Sequence, residues 1–192
     1  MAANDKIQIL CYGDSNTLGW DPRSFFGDLY ERPWPVILSE NPTFQVRTDA
    51  ACGREIPKGP IAFPPDAELL ILMLGTNDLL QGADAETIAN RMERFLTTVS
   101  GPEVLLIAPP PLCRGEWVSD ETLIARSCRL AEEYRRLARN RGIRFRDSGE
   151  WSIPLTFDGV HFTEDGHRRF AENLMEHIFR LFPNLESKED PT

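Results

Sequence analysis

A chain of 192 residues with 41% hydrophobic content is long enough for one compact domain, residues 1–192, whose core needs no disulfide framework. Its formal net charge of -9 repels phosphate backbones, which sets nucleic-acid binding aside. No apolar run approaches the roughly 20 residues of a membrane-spanning helix, and residues 1–6 are too short and polar for a secretory signal, so a cytoplasmic protein without a membrane partner is expected.

In chain order, the apolar run 7–12 predicts a first strand, which ends on Gly13-Asp14-Ser15-Asn16. Residues 20–35 mix aromatics, prolines and charges without periodicity and read as a long loop leading into a short helix, a kind of loop that often serves binding. Strands follow at 44–49 and 68–74, the first trailed by Ala51-Cys52-Gly53-Arg54 and the second by Gly75-Thr76-Asn77-Asp78. A helix is predicted over 84–99, a strand over 104–108, a long helix over 120–141 and a fifth strand over 143–147. Leu123, Ser127, Leu130, Tyr134, Leu137 and Ala138 form the apolar stripe of the long helix, leaving the arginines between 126 and 146 on a solvated face. Asp158-Gly159-Val160-His161 precedes a last helix over 163–182, with Thr163 as N-cap and Glu164 and Asp165 in its first turn. Residues 186–192 read as a frayed polar tail. Short strands alternating with longer helices imply an α/β protein whose five-stranded parallel sheet is covered on both faces.

Cys11, Cys52, Cys113 and Cys128 show no C-x-x-C spacing, and the three histidines show no metal-binding cluster with them, so reduced structural thiols and no metal are expected. Cys52, although beside Gly53, is read as small hydrophobic filler.

In a parallel α/β sheet, ligands gather beyond the carboxyl ends of the strands, where the segments just named fall. A serine hydroxyl is a weak nucleophile at neutral pH and needs a base within hydrogen-bond reach, itself held by a third group. Ser15 is the candidate nucleophile and His161 the base, with Asp158, three residues earlier, orienting the imidazole. The blander readings are turn glycines at 13, 53 and 75 and an N-cap serine at 15. His167 and His177 lie inside the last helix, which suits packing better than proton transfer, and Asp165 reads as a first-turn acid.

The four segments resemble, in order and type, the four blocks of the SGNH (GDSL-like) hydrolase family. That resemblance implies a three-layer, flavodoxin-like α/β/α sandwich with strand order 2-1-3-4-5, no cofactor, and ester cleavage through an acyl-enzyme on Ser15. It also implies an oxyanion hole made of the Ser15 N–H, the Gly53 N–H and the Asn77 amide. Arg32-Pro33-Trp34-Pro35 and Ala108-Pro109-Pro110-Pro111-Leu112 are similar to the arylesterase and acyltransferase branch, whose members also pass acyl groups to alcohols or peroxide and form closed oligomers. Two departures stand out: Asn16 occupies the position where leucine is common, and the approach to Gly53 is abbreviated.

Trp20 and Trp34, with Phe25 and Phe26, are expected to form a compact aromatic wall beside a small-ester substrate and to favour short acyl groups. The competing readings are a non-catalytic flavodoxin-like module that holds a small ligand with Asp14 and Asp78, and, among enzymes, a lysophospholipase or thioesterase. An ordinary α/β-hydrolase is set aside because the G-x-S-x-G elbow is missing.

Overall fold

The computed structural model describes residues 6–183. Five parallel strands, β1 (Ile7–Gly13), β2 (Phe44–Ala50), β3 (Leu69–Met73), β4 (Glu103–Ala108) and β5 (Arg144–Asp147), form one sheet in the order β2-β1-β3-β4-β5. The helices are α1 (Ser15–Leu18), α2 (Trp34–Ser39), α3 (Thr76–Leu80), α4 (Ala85–Leu96), α5 (Glu121–Arg141) and α6 (Glu164–Leu181), with a 3-10 turn at Ser148–Trp151.

The continuous apolar run of β3 is explained by its two faces. Leu69, Ile71 and Met73 pack with Trp34, Phe170, Leu174 and Ile178 of α2 and α6. Leu70 and Leu72 pack on the other side with Ile88 and Met92 of α4 and Leu130 and Tyr134 of α5. Alternate side chains of a strand point to opposite faces, so a strand buried by helices on both sides must be apolar throughout. The edge strands β2 and β5 are only partly covered and correspondingly mixed in composition.

The expected strands and long helices are present with bounds shifted by one to a few residues. Asp84, Asp120 and Thr163 each cap a helix through a side-chain oxygen. The short helices α1 and α3 went unpredicted because four or five residues carry no readable period. The arginines of α5 are exposed except Arg135, which is half-buried and bridges Asp147 and Glu150.

The cysteines correct the sequence reading. Cys11 is buried in the core, and desolvation pushes its thiol far above the usual range, but Cys52, Cys113 and Cys128 are exposed on loops or the outer face of α5 and fill no core. All four are free. Among the described residues no helix is long and apolar enough to cross a membrane. The polar tail at 186–192 and most of the N-terminal segment 1–6 lie outside the described residues.

Candidate active site

The register of the sheet sets Gly13 of β1 beside Ala50 of β2 and Met73 of β3, so the chain leaves three adjacent strands at one place. Ser15 opens α1 immediately after β1. The cap of that helix is Asp14, whose Oδ1 accepts the Asn16 N–H at 3.0 Å, so Ser15 is free of the capping role that a serine after a strand often takes.

Ser15 Oγ lies 3.0 Å from His161 Nε2, and His161 Nδ1 lies 2.7 Å from Asp158 Oδ2. All three side chains are buried. Burial works to raise the Asp158 carboxyl, but hydrogen bonds from the His161 ring and N–H, the Val160 N–H and the Thr156 hydroxyl outweigh it and hold the group at about 2. An ionised carboxylate at Nδ1 assigns the proton of the neutral imidazole to that nitrogen. The Nε2 lone pair then faces the serine hydroxyl, the arrangement in which an imidazole can take a proton from Ser15.

The loop after β2 brings Gly53 to this end of the sheet with φ 73°, in the left-handed region that favours glycine. Among the described residues neither the Ser15 N–H nor the Gly53 N–H donates to a protein acceptor. Asn77, the second residue of α3, donates one amide hydrogen from Nδ2 to the Arg54 carbonyl at 3.1 Å, which ties the two loops together and leaves a second hydrogen on the same nitrogen. Fully buried Asp78 reinforces the tie, accepting the Ile56 N–H at 3.1 Å and pairing with Arg91 at 2.7 Å.

Asp14 and Asp78 were the acids a ligand-holding module would use, and both are turned inward. Asp14 is 1% exposed, and desolvation raises its carboxyl to about 6 despite the Asn16 N–H. Neither is presented to a ligand.

The aromatic surroundings differ from the expected wall. Trp20 is in place, with its ring 4.6 Å from the His161 ring. Trp34 is not: it is 0% exposed, its ring tilted against Phe170 at 4.9 Å beneath the sheet, because α2 packs its apolar face on α6. Phe25 and Phe26 pack edge-to-face on each other, are 94% and 87% exposed, and wall off nothing.

The second wall is Trp117, unforeseen from the sequence, 5.3 Å from the His161 ring and 5.8 Å from Trp20. Its loop is pinned to the Asp158 segment by N–H groups of Cys113, Glu116 and Trp117, which donate to the carbonyls of Gly159, Phe157 and Asp158 at 3.0–3.1 Å. That pinning requires Gly159, where a Cβ would lie 2.1 Å from the Cys113 oxygen. The available signal was position: the loop follows β4 at the carboxyl end of the sheet.

The other histidines are apart from this chemistry. His177 stacks on Trp151, and His167 is fully buried between Tyr30 and Phe162. Desolvation lowers His167 from 6.5 to about 3. The fold therefore holds it neutral, so its contribution to stability is complete above 6.5 and is lost as pH falls from there toward 3. Asp14, raised in the fold, works in the opposite direction as pH falls through about 6. His167→Gln removes only the first effect. Between pH 7 and 5 the Tm of the wild type should fall further than that of His167→Gln, by roughly 2–4 °C for each kcal/mol involved. Parallel Tm-against-pH curves for the two proteins would refute the assignment.

A family model for GDSL-like lipases and acylhydrolases matches residues 11–169. A search of curated proteins gives no match. Among solved structures, the M. smegmatis aryl esterase is 27% identical with a TM-score of 0.76, over 91% of this chain and 99% of that one. A carbohydrate acetylesterase family member from Sinorhizobium meliloti is 25% identical with a TM-score of 0.77, over 91% of this chain and 98% of that one. A member of the lipolytic protein G-D-S-L family from Veillonella parvula DSM 2008, at 21% identity and TM-score 0.69, shares the fold over 88% and 97% of the two chains. The family match, the 2-1-3-4-5 sheet and these similarities agree: the chain belongs to the GDSL-like lipase/acylhydrolase (SGNH hydrolase) family and is a carboxylic ester hydrolase.

Proposed function

We propose that the protein cleaves small, short-acyl esters through an acyl-enzyme on Ser15. The observation that carries this reading is the unbroken chain Ser15 Oγ–His161 Nε2, His161 Nδ1–Asp158 Oδ2, at 3.0 and 2.7 Å. His161 takes the Ser15 proton as Oγ attacks the ester carbonyl, then gives it to the departing alkoxide; Asp158 steadies the imidazolium between these steps. Water, deprotonated by the same imidazole, hydrolyses the acyl-enzyme, and an alcohol in its place gives acyl transfer. The free N–H groups of Ser15 and Gly53 and the second amide hydrogen of Asn77 supply the donors that the developing oxyanion needs.

This assignment is tested by treating the protein with a fluorophosphonate and mapping the adduct. A single adduct on the peptide carrying Ser15 is the expected result, and a protein that stays unlabelled is a binding module instead. Asn77→Ala should lower kcat by roughly 10² to 10³ with a smaller change in KM, as for a donor that acts on developing charge. An effect confined to KM would make Asn77 a ground-state binder.

Trp20 and Trp117 pack on each other and on the His161 ring, an aromatic surface suited to a planar aryl or a sugar-ring leaving group rather than to a long tail. Aryl esters and carbohydrate acetyl esters are the substrate classes we infer, in keeping with the names of the M. smegmatis and S. meliloti proteins. A long acyl chain gains roughly 0.8 kcal/mol for each CH2 it buries, but only where a trough receives it. Across p-nitrophenyl esters from acetyl to palmitoyl, kcat/KM should peak at acetyl to butyryl. A maximum at octanoyl or beyond would point to a lysophospholipase or thioesterase.

A further inference from the structure

Asn16 stands where leucine is common in the family and is 3% exposed. Its amide is fully used. Oδ1 accepts the Phe162 N–H at 2.9 Å, and Nδ2 donates to the Val160 carbonyl at 3.1 Å. Those two backbone groups belong to the residues on either side of His161. One side chain therefore grips the histidine's backbone at both ends, across 144 and 146 positions of sequence.

The grip is rigid at both of its own ends. The Asn16 N–H is held by Asp14 Oδ1, and Asn16 is the second residue of the helix that Ser15 opens. Phe162, fully buried, packs on Phe170 in the core, and Val160 packs beside Leu112 and Val118. Leucine has no polar atom to replace either bond, and would leave a buried N–H and a buried C=O without partners. Aspartate keeps the acceptor and loses the donor.

We propose that Asn16 is a positioning residue for ester cleavage, a latch that sets the Ser15 Oγ to His161 Nε2 distance by fixing the base loop directly to the nucleophile helix. The proposal rests on the reading of Ser15 and His161 as nucleophile and base. A misplacement of about 1 Å between reacting groups can cost roughly 10²-fold in rate. Asn16→Ala should accordingly lose roughly 10- to 10²-fold in kcat with KM changed less than about 2-fold, and Asn16→Asp, which keeps one bond but sets a carboxylate oxygen against the Val160 carbonyl, should lose at least as much.

The decisive measurement is a double-mutant cycle with His161→Ala, following acylation by p-nitrophenyl acetate. A latch that acts through the imidazole has nothing left to position once the imidazole is gone, so adding Asn16→Ala to His161→Ala should change the rate by less than about 2-fold. A general structural role would give the same loss in both backgrounds and would overturn the proposal, as would an Asn16→Ala protein with wild-type kcat. If Asn16→Ala does not fold, Asn16→Ser, which brings no charge against the Val160 carbonyl, takes its place in the cycle. Ser15→Ala in the same assay separates the two levels. Activity surviving that substitution defeats the reading of the site and the latch with it, whereas a dead Ser15→Ala beside an unaffected Asn16→Ala defeats the latch alone.

Discussion

Ser15→Ala is expected to lose at least about 10⁴-fold in kcat and all covalent labelling, with its Tm within about 2 °C of wild type. Among the described residues, the only hydrogen bond of Ser15 Oγ is to His161 Nε2. Its removal therefore takes away the nucleophile and little else, and the small void left near the surface of a 6% exposed residue costs little stability. Residual turnover belongs to the oxyanion donors and to binding, which still orient an ester for attack by water. Steady-state kinetics on p-nitrophenyl acetate, with a thermal melt of the same preparation, decides the matter. An active Ser15→Ala protein sinks the mechanism, and an inactive one with a much lower Tm means that the substitution damaged the fold.

The next largest effect is expected for Asp158→Asn, up to about 10⁴-fold in kcat. The hydrogen bonds around Asp158 dictate why. Oδ1 faces three donors, the Val160 N–H, the His161 N–H and the Thr156 hydroxyl. An asparagine must keep its carbonyl oxygen there, because an NH2 group would meet two backbone N–H groups. Its nitrogen is then forced to the place of Oδ2, 2.7 Å from His161 Nδ1, where it donates. The imidazole responds by carrying its proton on Nε2, toward Ser15, and ceases to be a base. Geometry is preserved and the tautomer is wrong. Asp165→Asn is the control: Asp165 is surface-exposed and paired with Arg168 and Arg169, so its loss should change kcat by less than about 2-fold. The reverse ranking of the two variants would identify Asp165 as the orienting acid.

The pH behaviour is constrained by the same contacts. With its carboxyl held at about 2, Asp158 remains ionised on mild acidification, so a fall in rate there is not its titration. His167 contributes to acid instability but touches neither Ser15 nor His161 by hydrogen bond, so rate and stability should respond separately to His167→Gln.

The strands, the long helices and the three residues that hydrogen bonds join, Ser15, His161 and Asp158, were legible in the sequence for local reasons. Period-2 and period-3.6 patterns are properties of ten or twenty consecutive residues, and β3 could be recognised because a doubly covered strand is apolar at every position. Ser15, Asp158 and His161 could be picked out because they lie just beyond a strand or just before a helix, in segments that resemble, in order, the blocks of the SGNH family. What the sequence could not decide is where side chains of the irregular segments point. Trp20 and Trp34 lie in one unpatterned stretch, yet one flanks His161 and the other is buried on Phe170, because Trp20 is held to the end of α1 by its N–H bond to the Ser15 carbonyl whereas α2 docks on α6. Trp117, far from both in sequence, reaches His161 only because three backbone hydrogen bonds press its loop against the Asp158 segment. Cys52, Cys113 and Cys128 are as apolar as Cys11, but exposure is settled by which elements cover a position. The sequence marked Asn16 as a departure and nothing more. Its two bonds to the neighbours of His161 exist because the parallel sheet brings the end of β1 against the approach to α6, a contact across some 146 residues that no local pattern encodes.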